Sequence, residues 1–68
     1  MKSFQAICKG FDAFDEHVAK GVLCVIRLDS TGDIRLVSAS SRRFKEPGLK
    51  LNAYELHEYF TLGHSANL

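Results

Sequence analysis

The sequence predicts a small α+β domain with the element order α-β-β-α, an antiparallel hairpin packed with two helices. Three observations predict it. Phe4, Ile7, Phe11, Phe14 and Val18 recur at spacings of three and four, with Cys8 widening the stripe, which is the period of a helical apolar face. Two runs rich in β-formers, 22–28 and 34–40, flank the turn residues Asp29-Ser30-Thr31-Gly32-Asp33. Asn52-Ala53-Tyr54-Glu55 has the form of a capping box at the head of a second helix. With 68 residues, no repeat and no linker, 1–68 is a single domain.

Each element follows in order. The first helix is predicted over 3–20, with Ser3 as N-cap and Gly21 as stop. Gly10 lies inside it at a penalty of ~1 kcal/mol relative to Ala, which signals a close packing contact or a later start. The hairpin is predicted with Leu28 opposite Ile34, Arg27 opposite Arg35, Ile26 opposite Leu36, Val25 opposite Val37 and Leu23 opposite Ala39. Two arginines in direct opposition are unfavourable unless acids stand near, and Asp29 and Asp33 are placed to offset them. Lys45-Glu46-Pro47-Gly48 is a second turn. The last helix is predicted over 53–62, with Leu51 stapled onto it, Ala53, Leu56, Tyr59 and Phe60 on its apolar side, Gly63 as its stop and a frayed tail over 64–68.

That register makes both hairpin faces apolar: Cys24, Ile26, Leu28, Ile34 and Leu36 on one, Leu23, Val25, Val37 and Ala39 on the other. Three arrangements satisfy it: helices on opposite faces, a four-stranded sheet extended across a dimer, or a face held for a different protein. Small domains often gain stability from oligomerisation, so a homodimer is expected, visible by light scattering.

Composition narrows the function. Two cysteines, Cys8 and Cys24, make no disulfide framework; in apolar segments they read as buried free thiols of a reducing compartment. Lys9 breaks the apolar run at the N-terminus, so no secretory signal is read, and no run approaches the ~18 residues of a membrane span. The expected location is cytoplasmic. Asp15, Glu16 and His17 splay around a helix, and Asp12 and Glu16 share a solvated face. Neither cysteine pairs with His17, His57 or His64 in a catalytic signature, and no zinc spacing or phosphate-binding loop occurs. The chain therefore reads as a non-enzyme with no metal and no cofactor.

Charge is uneven. The net charge is +1, yet residues 35–50 carry Arg35, Arg42, Arg43, Lys45 and Lys50 against Glu46. Arg42, Arg43, Phe44 and Lys45, with Arg35, form a basic patch containing an aromatic, a composition suited to an interface with an acidic protein surface. Tyr54 and Tyr59 on the last helix are secondary candidates. The expected function is a protein–protein interaction module, a small regulator or inhibitor of another protein in the style of those encoded by phages and mobile elements. The alternative is a nucleic-acid-binding protein using the loop 42–45, with Phe44 stacking on a base. The pI of about 7.8 lies below that of a basic nucleic-acid module.

Overall fold

A computed structural model describes residues 2–13 and 15–62. Phe14, the Gly63 stop and the tail 64–68 lie outside the described residues.

The chain is mostly antiparallel sheet, which overturns the predicted α-β-β-α order. Its elements are β1 (Lys2–Cys8), β2 (Phe11–Ala13), β3 (Glu16–Val18), β4 (Leu23–Leu28), β5 (Ile34–Ala39), β6 (Arg42–Arg43), β7 (Leu49–Leu51), α1 (Ala53–Tyr59) and β8 (Phe60–Leu62). The main sheet runs β6-β5-β4-β1-β8, and β7 pairs with β5; β2 and β3 form a separate two-stranded hairpin.

The predicted helix over 3–20 is instead β1 and the β2–β3 hairpin. In β1, Ala6 and Cys8 are buried and Phe4 half-buried, while Ser3, Gln5 and Ile7 are exposed, the alternation of a strand. One edge of β1 is paired along most of its length, with Phe4 opposite Ile26 and Ala6 opposite Cys24 on β4, and the end of the other edge is paired with β8, Ala6 opposite Leu62 and Cys8 opposite Phe60. Gly10, at φ 105°, turns the chain out of β1, and Asp15, at φ 61°, lies in the β2–β3 turn. The apolar spacing therefore comes from a strand and a hairpin joined by a tight turn. Asp12 does not share a helical face with Glu16; it pairs with His17 across the hairpin.

The β4–β5 hairpin keeps the lower half of its predicted register: Leu28↔Ile34, Arg27↔Arg35 and Ile26↔Leu36. Beyond that a β-bulge leaves Val37 unmatched, so Val25 pairs with Ser38 and Cys24 with Ala39, correcting the predicted Val25–Val37 and Leu23–Ala39 pairs. One extra residue reverses the inside–outside parity downstream, and Ala39 enters the core. The hairpin is not a sheet awaiting a second copy. The far edge of β4 holds β1, and that of β5 holds β7 and β6.

The second predicted helix forms but ends at Tyr59, because Phe60 is extended (φ −136°, ψ 142°) and begins β8. Its capping box is present: the Glu55 N–H donates to Asn52 Oδ1 at 2.7 Å, and the Asn52 N–H donates to Glu55 Oε1 at 2.9 Å. α1 carries the chain from β7 at one side of the sheet to β8 at the other. It buries Leu56 on the core that Ala6, Cys8, Phe11, Val18, Cys24, Ile26, Leu36, Ala39, Phe44, Leu51 and Phe60 complete. Among the described residues the sheet has its one helix on the core side, so the arrangement with helices on opposite faces of the hairpin, one of the three its sequence allows, is not what forms.

Candidate binding face

Residues paired across an antiparallel ladder lie on the same face, so the register writes out the outer surface in rows. The first row is Thr61–Ile7–Leu23, the second Gln5–Val25–Ser38–Arg43, and the third Ser3–Arg27–Arg35–Lys50. Ile7 and Leu23 face each other in the first row, 38% and 45% exposed, and Val25 is half-buried beside them. The surface thus grades from an aliphatic strip to a row of cations.

The cationic row is neutralised locally. Asp29 accepts from Arg27 Nε at 3.0 Å and from Arg35 Nε at 2.9 Å. Arg35 also reaches Asp33 Oδ2 at 3.2 Å, and Lys50 Nζ lies 3.8 Å from Asp33 Oδ1. Arg27 further donates to the Pro47 carbonyl at 2.7 Å, with Glu46 3.7 Å away. The hydrogen bond from Arg35, reinforced by Arg27, holds the Asp29 carboxyl below its usual range, against the opposing effect of desolvation. The two opposed arginines are therefore clamped by the turn that joins their strands.

The residues singled out from the sequence divide by what they touch. Arg42 Nη2 pairs with Glu16 Oε1, its Nη1 donates to the His17 carbonyl at 2.9 Å, and its guanidinium lies 4.8 Å from the Phe44 ring centroid. It fastens the β2–β3 hairpin to β6. Phe44 is 8% exposed and belongs to the core; its N–H donates to the Val37 carbonyl. Arg35 is held by Asp29 and Asp33. Tyr59 is half-buried, edge-on to Phe11 at 5.0 Å between centroids. Arg43 and Lys45 are exposed, and Tyr54, at 71%, is the most exposed large hydrophobic residue among the described residues. Arg43 is brought onto the outer face beside Ser38. The aliphatic strip itself was half legible: Leu23 and Val25 fell on one apolar face of the predicted hairpin, whereas Ile7 was assigned to a helical stripe. Its signal was the alternation Phe4, Ala6, Cys8 against Ser3, Gln5, Ile7.

Other features of the described residues carry less chemistry. Cys8 and Cys24 are free and buried. Burial, with a smaller effect of nearby Cys8, pushes the Cys24 thiol up to about 11, leaving it protonated and unreactive near neutrality. A shallow depression is lined by Lys50, Leu51, Asn52 and Glu55, but the last two spend their side chains on the α1 cap. Among the described residues, no group of three or more His, Cys, Asp and Glu could hold a metal ion, and no helix is long and apolar enough to cross a membrane.

No protein-family model, curated protein or solved structure matches the chain.

Proposed function

We infer that this chain is a non-enzymatic protein-interaction module, a small regulator or inhibitor that acts by occupying another protein in a reducing, cytoplasmic setting. The observation that carries this reading is the exposed aliphatic pair Ile7–Leu23, adjoined by Val25, on the outer face of a sheet whose inner face already has a core. Aliphatic side chains exposed side by side gain free energy when a partner removes them from water, at ~25 cal/mol per Å² of apolar surface. The buried thiols, free of a disulfide, suit a reducing compartment.

Affinity purification from nuclease-treated lysate tests the reading, with the Leu23→Thr variant in parallel. A protein retained by the parent at moderate salt and lost by the variant supports it. Capture of nucleic acid alone, falling steeply with salt, overturns it in favour of the loop 42–45. Within that loop Phe44 is buried and Arg42 is paired with Glu16, so Arg43 and Lys45 are its exposed cations with no ion pair among the described residues. Light scattering over a concentration series tests the homodimer.

A further inference from the structure

We propose that the outer sheet face takes an acidic segment of a protein partner, seating an apolar side chain on Ile7, Leu23 and Val25 and a carboxylate on Arg43. The proposal rests on the interaction-module reading and specifies its partner.

Charge placement carries the argument. The outer-face cations are Arg27, Arg35, Lys50 and Arg43. The first three are met by Asp29, Asp33 and Glu46 from the adjoining turns. Arg43 has no ion pair among the described residues and stands exposed in the row of Val25 and Ser38. The remaining carboxylates, Asp12, Asp15, Glu16, Glu55 and Glu58, belong to the β2–β3 hairpin, its turn and α1. The exposed charge beside the aliphatic strip is thus positive, and its complement is an anion.

Spacing fixes the arrangement of that complement. Two strand separations of ~4.8 Å place the Arg43 backbone roughly 10 Å from Val25, within a span that the long Arg side chain shortens. An extended segment lying across the strands advances ~6.8 Å in two residues. An apolar residue on the strip and an Asp or Glu two residues along would meet both features. A guanidinium also offers a carboxylate two parallel hydrogen bonds. A second copy of this chain is a poorer occupant, since the paired rows of this face include no Asp or Glu to meet Arg43.

The test is a selection from a random displayed peptide library against the folded protein, followed by binding measurements on the enriched synthetic peptides. The expected consensus is apolar-x-acidic. Leu23→Glu and Arg43→Glu should each weaken binding by about tenfold or more, with unchanged circular dichroism and melting. Leu23→Thr keeps a β-former on the strand and provides a second check on the strip. Peptides with Lys replacing the acid should regain affinity for Arg43→Glu. Enriched peptides that lack an acid, or whose binding survives both substitutions, overturn the proposal while leaving an interaction module in place. Absence of any peptide ligand, together with salt-sensitive binding of an oligo-dT strand, overturns both. A parent dimer dissociated by Leu23→Glu overturns the acidic occupant in favour of a second copy.

Discussion

Asp29 has a defined structural task, joining Arg27 to Arg35 across the β4–β5 turn. Because its folded pKa is depressed, it stabilises the fold above the ordinary Asp value of ~3.9, and that stability is lost as pH falls through the folded value. Asp29→Asn should therefore lower the melting temperature at neutral pH, and the gap from the parent should close on acidification. A gap independent of pH would show that charge is not what Asp29 contributes. Gly48 is the second such residue. It sits at φ 98°, and a Cβ there would lie 2.8 Å from the Leu36 carbonyl oxygen on β5. Gly48→Ala should destabilise by ~1–3 kcal/mol, more than Gly32→Ala, whose Cβ at φ 91° meets nothing within 4 Å. Equal urea midpoints for the two variants would contradict this. At this scale the sequence was informative where partners are close in the chain. The Arg27–Arg35 conflict and its resolution by Asp29 and Asp33 lie within one hairpin. Phe44 was ambiguous, because an aromatic among cations can stack outward or turn inward, and contacts with distant residues decide which.

Between elements, Arg42 is the tie that holds the β2–β3 hairpin against β6 through Glu16, the His17 carbonyl and the Phe44 ring. A partly exposed ion pair with a cation–π contact is worth about 1 kcal/mol. Hydrogen exchange in β2 and β3 should accelerate about fivefold in Arg42→Ala, a factor that follows from that energy. Arg43→Ala should leave it unchanged. Equal exchange in both variants would remove the tie. The same hairpin shows why the predicted first helix failed. A three-and-four spacing reports only that apolar residues recur, and Gly10 marked the interruption without revealing its geometry. β1 becomes a strand because β4 pairs along one edge and β8 with the last three residues of the other. The α1 cap was legible because Asn52 and Glu55 satisfy each other's backbone groups locally; its early end was not, because Phe60 is drawn into pairing with Cys8.

For the molecule as a whole, closure depends on β8 returning to β1 after α1, with the Phe60 ring tilted 30° from that of Phe11 at 6.0 Å between centroids. Phe60→Ala should cost ~3–5 kcal/mol, comparable to the entire stability of a domain this small. The expected result is loss of the cooperative urea transition at room temperature; a transition retained near the parental midpoint would show that β8 is dispensable. The sequence by itself determined the β4–β5 turn, its charge pairing, the lower hairpin register and the α1 cap, because those interactions close over a few residues. Only the tertiary structure decided that β1 is a strand, that the bulge at Val37 turns Ala39 inward, and that Ile7 joins Leu23 on the outer face. Those outcomes depend on hydrogen bonds and packing between segments far apart in the chain, whose free energy outweighs what local periodicity reports.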